Sequence, residues 1–409
     1  MNQPITEVKV GLDFGFKIQS VGRLAIRDRI IYFEYNDEFR QRNIEISPLR
    51  LQLQKGVIEL PTRPFEGLAG VFSDSLPDGW GRLLFDRMMR SQGISPANIS
   101  ALDRLAHVGL FGMGALVYEP DNSPSDVHEF IDLDHLATQT EEVLQGNSEE
   151  VIKELLALNG SSAGARPKAL IGVDTDYKNI SYGAQLLHEG FEPWLVKFPN
   201  SQDGSSAGAI EYIYALMAKE AGLLMPEVHL FSSQKSAGYF AVKRFDRSGN
   251  KRLHMHTASG LLHADFRTPS LDYEDLLNLT AALTKDIREV EKMYRLAVFN
   301  VLSHNRDDHA KNFSFLMSEN GQWKLAPAYD LTYSSGPNGE QSTMVMGEGK
   351  NPSTHQLIKL GTEAKISKKH IDEIIEQTKD ALGKWKSLSK NYNVGKSHID
   401  LIERIINKK

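Results

Sequence analysis

A chain of 409 residues is long enough for two or three domains, and its 41% hydrophobic and 24% charged residues are typical of a globular protein. Cysteine is absent, which excludes disulfides, thiolate nucleophiles and cysteine-bound zinc, and agrees with a reducing compartment. The net charge of −6 argues against direct binding to DNA, because non-specific affinity for the duplex comes mainly from Lys and Arg.

The hydropathy pattern predicts a chain that stays in the cytoplasm. The first residues, Met1 to Thr6, are polar and lack the apolar core of a signal peptide. No apolar run approaches the length of a membrane span. We therefore expect a cytoplasmic protein with no membrane partner.

The first part of the chain, residues 1–120, reads as an α+β domain. Strand-like spacing covers Val21 to Tyr35, and helical spacing appears near Arg82 to Arg90 and Ile99 to Ala106. Trp80 lies between these segments and reads as a core anchor rather than a binding residue. The acidic, Pro-containing stretch Glu119 to Asp126 is typical of a linker.

The second part, residues 121–250, opens with helical spacing over Leu133 to Leu144 and Val151 to Leu158. Strands follow. A loop of small residues, Gly160 to Lys168, lies between an apolar helix and an apolar strand, where backbone amides could approach phosphate oxygens. By itself this loop also reads as a plain flexible connection, because it lacks a Walker A pattern.

The third part, residues 251–409, reads as a mostly helical domain. Its clearest helix is Ile287 to Leu302. Gly336 to Ser353 has the composition of a mobile loop, either a surface loop or an activation segment. Ser397 with Asp400 forms a capping box that we expect to open the last helix.

A polar segment at residues 303–314 interrupts that helical domain. It places Asp307 and Asn312 five positions apart, and Asp330 follows after a predicted strand. Kinase-type enzymes use this arrangement to orient a hydroxyl and to hold Mg²⁺ with a nucleotide. We therefore predict that Asp307 is the catalytic base, that Asn312 and Asp330 are metal ligands, and that Lys311 neutralises charge on the transferred phosphoryl group.

Two other interpretations use the same residues. Polar clusters of this kind are often only solvated turns. The segment could also hold a transition metal in a hydrolase, with His304, Asp307, Asp308 and His309 as ligands. That second interpretation leaves Asn312 and Asp330 without a role, and the only His-rich run that could supply a distant ligand is the weak His254-Met255-His256.

Several motifs together resemble the HipA family of serine/threonine kinase toxins. Asn305 to Ser314 and Leu325 to Leu331 resemble the family's catalytic and metal-binding motifs. Ser161 to Lys168 resembles its phosphate-side loop, Trp194 to Pro199 its nucleotide-lysine strand, Val242 to Arg247 its hinge, and Leu76 to Gly81 a motif of its N-terminal subdomain. The resemblance covers nearly the whole chain and implies a kinase-like, two-lobed α+β fold. It has a small N-terminal α+β subdomain and a mostly helical C-terminal lobe.

The resemblance implies a role for each matching residue. Asp307 would be the catalytic aspartate, and Asn312 and Asp330 would bind Mg²⁺. The residues expected to contact ATP are Lys197 and His309, the hinge residues Lys243, Arg244 and Phe245, and Ala163, Gly164 and Lys168 of the phosphate-side loop. Ser161 would be the autophosphorylated serine, with the adjacent Ser162 able to substitute.

Two positions depart from the protein-kinase pattern. Leu331 and Thr332 follow Asp330 where the familiar motif has Phe-Gly, so switching by a Phe flip is not implied. Glu211, at the start of a predicted helix to Ala221, could pair with Lys197 as a kinase glutamate does. Its place in a first helical turn is equally well explained by the helix dipole.

The activity implied is that of an ATP- and Mg²⁺-dependent growth-inhibiting kinase. Its protein substrate would be an aminoacyl-tRNA synthetase, such as glutamyl-tRNA synthetase. A HipB-like helix-turn-helix antitoxin would be the partner, so that DNA would be bound only through it. Two alternatives remain open: a kinase-like nucleotide-binding interaction protein, and a small-molecule or lipid kinase.

Overall fold

The structure is a computed structural model that describes residues 4–124, 130–146, 152, 155–156, 158, 164–182, 187, 189–200 and 204–408, with residue 182 described by its backbone alone. Ser161, Ser162 and Ala163 lie outside the described residues. So does most of the predicted helix from Val151 to Leu158, although its apolar members Ile152, Leu155, Leu156 and Leu158 are described and buried.

A five-stranded antiparallel sheet forms the N-terminal subdomain, in the order β4-β3-β2-β1-β5. Its strands are β1 (Glu7–Asp13), β2 (Ile18–Arg27), β3 (Ile30–Tyr35), β4 (Val57–Glu59) and β5 (Leu116–Glu119). The helices beside it are α1 (Asp37–Arg40), α2 (Gly70–Ser73), α3 (Gly79–Ser91) and α4 (Ala101–Val108), with a 3-10 turn at Pro96–Asn98. The strand-like stretch Val21 to Tyr35 falls in β2 and β3, and the two are separate strands because Asp28 and Arg29 both adopt positive φ and turn the chain into a hairpin.

A second five-stranded sheet, in the order β7-β6-β8-β10-β9, carries Lys197. Its strands are β6 (Lys168–Asp174), β7 (Ile180–Tyr182), β8 (Phe191–Lys197), β9 (Val228–Phe231) and β10 (Tyr239–Lys243). The helices α5 (Leu133–Leu144) and α6 (Ala207–Glu220) belong to this lobe. The core beneath the sheet also contains Trp80, which is 1% exposed, so its predicted role as a core anchor is confirmed.

The C-terminal lobe is mostly helical. Its strands are short: β11 (Arg247–Ser248), β12 (Lys251–Arg252), β13 (His254–Thr257), β14 (Leu271–Asp272), β15 (Ser314–Met317), β16 (Trp323–Leu325) and β17 (Thr343–Met344). Its helices are α7 (Ala258–Leu262), α8 (Tyr273–Thr284), α9 (Ile287–Leu302), α10 (Thr354–Glu363), α11 (Lys368–Leu382), α12 (Trp385–Asn391) and α13 (Lys396–Ile406), with 3-10 turns at Ala310–Asn312 and Pro337–Gly339. This mixed, two-lobed architecture confirms the predicted fold class.

The strongest periodic patterns gave the most accurate predictions. The helices over Leu133–Leu144 and Ile287–Leu302 begin and end where the sequence placed them. The capping-box prediction was wrong, because the last helix starts at Lys396 after Gly395, with no side-chain cap. In the described part of the chain, no helix combines the length and the apolar character needed to cross a membrane.

Candidate active site

The loop after α9 brings Asp307 and Asn312 together. The amide of Asn305 donates to the Asn300 carbonyl at 2.9 Å, and the chain then closes into the 3-10 turn Ala310–Asn312. The side-chain nitrogen of Asn312 donates to the Asp307 carbonyl at 2.7 Å, which leaves Oδ1 of Asn312 as the atom able to ligate a cation.

The carboxylate of Asp307 is exposed at the cleft between this loop and the second sheet. Partial desolvation raises its pKa, and the positive field of His309 opposes that effect. The charge of Asp330 raises the pKa further, whereas Arg166 and Lys197 lower it. Of these groups, Lys197 contacts Asp330 directly, and both Lys197 and Arg166 contact Glu211.

Lys197, the last residue of β8, lies between two carboxylates. Its Nζ donates to Glu211 Oε1 at 2.5 Å and also to Asp330 Oδ1. The structure therefore answers the open question about Glu211, which does pair with Lys197. Its helix begins at Ala207, so Glu211 lies beyond the first turn and the helix dipole does not account for its position.

Lys168 and Lys197 are directly opposite each other in the pairing of β6 with β8. Paired residues of antiparallel strands project to the same face, so both ammonium groups belong to the floor of the cleft. Burial, and then the charge of Lys197, lowers the pKa of Lys168 to about 8. Although desolvation acts to raise the pKa of Asp330, the charges of Lys197 and Lys168 hold it well below its usual range.

Lys311 does not point freely toward the cleft. Its Nζ forms an ion pair with Asp78 Oδ2 at 2.7 Å and lies 4.6 Å from the centre of the Phe266 ring. Asp78 also accepts a hydrogen bond from the amide of Gly164. Sequence reasoning missed Asp78, and the only signal that pointed to it was the resemblance of Leu76 to Gly81 to a family motif.

The hinge residues are largely bound to other parts of the protein. Nζ of Lys243 lies 2.5 Å from Glu192, and the Arg244 guanidinium pairs with Asp246 at 2.8 Å. The amides of Lys243 and Arg244 also donate to backbone carbonyls. The backbone groups of the hinge that these bonds leave over, including those of Phe245, are therefore the ones we expect to contact adenine. The ring of Phe245 itself packs against Tyr329.

The four residues of the transition-metal interpretation face different ways. His304 binds the Ser334 carbonyl at 3.1 Å and stacks on Tyr333. Asp308 is fully buried. Of the described residues, no group of three or more His, Asp or Glu side chains could hold a metal ion.

His309, which the resemblance places near the nucleotide, packs its ring against Phe266. Its Nδ1 is buried and has no hydrogen-bond partner. His254 and His256 lie elsewhere, buried against the N-terminal subdomain.

Asp308 links the Gly336–Ser353 segment to residues 303–314, the loop after α9, which we call the catalytic loop for its predicted role. Its carboxylate accepts hydrogen bonds from Tyr273 Oη at 2.6 Å, Gln341 Nε2 at 2.9 Å, and the amides of Ser342 at 3.0 Å and Thr343 at 3.2 Å. The neighbouring Arg306 donates to the Lys350 carbonyl at 2.8 Å. The expectation of a surface loop was therefore wrong for residues 341–343, which are buried, whereas residues 337–340 are exposed.

The two-lobed fold and the cleft define a class of enzyme. A lysine paired with a helix glutamate faces an aspartate–asparagine loop and a further aspartate, which is the organisation of a kinase-like phosphotransferase. Family comparison then identifies the chain more closely. It matches the HipA N-terminal domain over residues 13–119 and the HipA-like C-terminal domain over residues 160–385, and so belongs to the HipA family.

Individual relatives agree with that assignment. The serine/threonine-protein kinase toxin HipA of Shewanella oneidensis is 24% identical over 313 residues, covering 68% of this chain and 67% of the relative. A Sinorhizobium fredii protein whose name describes it as a kinase is 25% identical over 351 residues, covering 79% and 78%. A chain of the solved Shewanella oneidensis HipA, HipB and operator DNA complex superimposes with a TM-score of 0.69 at 17% identity, covering 97% of this chain and 95% of that chain.

Proposed function

We propose that this protein is an ATP- and Mg²⁺-dependent serine/threonine protein kinase that acts as a growth-inhibiting toxin. The observation that carries the proposal is Lys197, held between Glu211 and Asp330 and opposite the Asp307–Asn312 loop. Kinase catalysis depends mainly on positioning and on charge stabilisation, and this cleft supplies groups for both.

Each group in the cleft has a chemical task. Asp307 accepts the proton of the substrate hydroxyl, and its exposure leaves room for a protein side chain to approach. Lys197 and Lys168 bind the phosphates, because their ammonium groups share one face of the sheet. The hinge backbone meets the adenine.

The residues present also suit a magnesium ion. Asp330 offers a carboxylate and Asn312 an amide oxygen, which are the hard oxygen ligands that Mg²⁺ prefers. Bound there, the ion would offset the charge of the nucleotide phosphates. Lys197 would keep Glu211 as its partner when Asp330 turns to the metal.

The biological setting follows from the family. We infer that the kinase phosphorylates a bacterial aminoacyl-tRNA synthetase, glutamyl-tRNA synthetase being the first candidate, and so stops translation. A HipB-like antitoxin would bind the operator DNA, in keeping with the HipA, HipB and DNA of the structural relative. Ser161, three positions before Gly164 in the sequence, would be autophosphorylated and so place negative charge where ATP phosphates bind.

The test is phosphoryl transfer by the purified protein. Wild type is incubated with labelled ATP and Mg²⁺, alone and with bacterial extract, beside Asp307→Asn, and mass spectrometry locates the phosphate. Loss of the base should lower the rate by about 10²- to 10⁴-fold. Asp380→Asn, an exposed carboxylate on α11, is the matched control and should keep full activity.

The outcomes separate the candidate functions. Label on a protein substrate or on Ser161 supports the protein kinase. Label found only on a small molecule or lipid would instead make the protein a small-molecule kinase. Nucleotide binding without transfer, together with growth arrest that persists in Asp307→Asn, would mean that toxicity comes from binding a partner.

A further inference from the structure

Asp78 of the N-terminal subdomain contacts two segments of the proposed kinase cleft at once. Its Oδ2 lies 2.7 Å from Nζ of Lys311, which belongs to the 3-10 turn between Asp307 and Asn312. Its Oδ1 accepts the amide of Gly164, on the phosphate-side loop. One carboxylate therefore joins the catalytic loop to the phosphate-side loop.

The backbone around Asp78 is shaped for this contact. Gly79 has a φ of +44°, and a Cβ there would lie 2.5 Å from the Gly164 carbonyl oxygen and 2.6 Å from the Cα of Ala165. The amide of Trp80 donates to that same Gly164 carbonyl at 3.1 Å. Asp78 and Trp80, at the start of α3, thus bind the amide and the carbonyl of Gly164. Only glycine fits between them at position 79.

The ion pair is well shielded from solvent. The side chain of Lys311 is 9% exposed and that of Asp78 is 15% exposed. Tyr329, which directly precedes the metal-ligand candidate Asp330, donates to the Lys311 carbonyl at 2.6 Å. Lys311 is therefore held at both its side chain and its backbone, and its ammonium group is paired with the Asp78 carboxylate.

We propose that Asp78 is a positioning residue for phosphoryl transfer, holding the phosphate-side loop and the catalytic loop in register through Gly164 and Lys311. This rests on the kinase function proposed above. It gives the N-terminal subdomain a direct part in building the ATP site. It also changes the role of Lys311, which supports the loop geometry from Asp78 and does not have to reach the transferred phosphoryl group.

The experiment compares Asp78→Asn, Lys311→Met and the double variant with wild type. Glu66→Gln is the matched control, because Glu66 is an exposed carboxylate of the same subdomain that pairs with Arg82 on α3. Two readouts are taken: hydrogen exchange of the peptide that contains Gly164 in nucleotide-free protein, and KM for ATP and kcat over a range of pH.

Asp78→Asn should speed exchange at Gly164 and raise KM for ATP by about tenfold, since a charge-assisted bond to the loop is lost. The pH profile should keep its wild-type shape, because Asp78 exchanges no proton with the substrate. The double variant should lose little more than Asp78→Asn alone, because both changes break the same contact. Glu66→Gln should match wild type in both readouts.

If hydrogen exchange at Gly164 were unchanged in folded Asp78→Asn, the proposal would be overturned. It would also be overturned if the double variant lost activity by the product of the two single-variant losses. If Asp78→Asn does not fold, Lys311→Met tests the same junction from its other side with the same exchange readout. If Asp78→Asn sped exchange at Gly164 but the wild type transferred no phosphate, the contact of Asp78 with Gly164 and Lys311 would be supported and the kinase function refuted.

Discussion

Lys168 has the environment of a titrating lysine. It is 6% exposed, it faces Lys197 across the strand pair, and its pKa falls to about 8 through burial and that neighbouring charge. Asp330, Asp78 and Glu211 partly counter this fall. An ammonium with such a pKa loses its charge as the pH rises through about 8, at the place where we expect phosphates to bind.

ATP affinity should therefore weaken as pH rises through about 8. Only protonated Lys168 attracts phosphate, so above that pH the free protein must take up a proton to bind ATP. Titration calorimetry in buffers of different ionisation heat measures both the affinity and the proton uptake. Lys168→Arg keeps its charge throughout, so proton uptake that survived in this variant would show that another group titrates.

At the scale of elements, the catalytic loop and the Gly336–Ser353 segment form one unit. The short strand β17 within that segment pairs in parallel with β14, next to α8. Asp308, in the catalytic loop, joins that loop to the Gly336–Ser353 segment, because its carboxylate accepts hydrogen bonds from Tyr273 of α8 and from residues 341–343. The position of Asp307 is thus coupled to this segment through the adjacent residue.

Asp308→Ala should detach the segment and destabilise the protein. The buried Tyr273 hydroxyl would be left without its acceptor, at a cost of about 1–3 kcal/mol, and Gln341 Nε2 would keep only its hydrogen bond to the Asn305 carbonyl. Urea unfolding gives the stability, and limited proteolysis within residues 336–353 gives the detachment. Asp265→Ala, at a partly exposed carboxylate, is the control. Cleavage that stays at the wild-type rate in Asp308→Ala would contradict this account.

At the scale of the whole molecule, the N-terminal subdomain is bound to the hinge by a buried charge cluster. Asp246 is fully buried and accepts from the guanidinium groups of Arg244 and Arg247 and from the amide of Gly114 at 2.7 Å. Arg247 also donates to the Gly112 carbonyl at 2.8 Å. The hinge between the lobes is therefore anchored in the N-terminal subdomain.

Asp246→Asn should cost about 3–5 kcal/mol of stability, because it leaves buried arginine charge without its partner. Desolvation raises the pKa of Asp246, but the two arginines hold it well below its usual range. Its stabilising effect is therefore present above the ordinary carboxyl pKa near 4 and declines as pH falls below it. Urea unfolding at neutral and at acid pH measures the free energy of unfolding. The control Asp176→Asn, at an exposed carboxylate, should be as stable as wild type. If Asp246→Asn were also as stable as wild type, Asp246 would not anchor the hinge.

The sequence by itself determined the parts of this protein that are encoded locally. The helix Ile287–Leu302 follows from apolar residues at helical spacing. The proximity of Asp307 to Asn312 follows because only four residues separate them in the chain. The family motifs added the order of the remaining site residues along the chain.

Only the tertiary structure decided which distant groups meet. Lys311 and Asp78 are 233 positions apart, and Lys197 and Asp330 are 133 apart, so no local spacing relates them. Glu211 was ambiguous in the sequence because helix propensity does not fix where a helix starts, whereas packing placed it facing Lys197. The partners of Asp308 and Lys311 are also distant in sequence, because Asp308 accepts from Tyr273 and Gln341 and Lys311 pairs with Asp78.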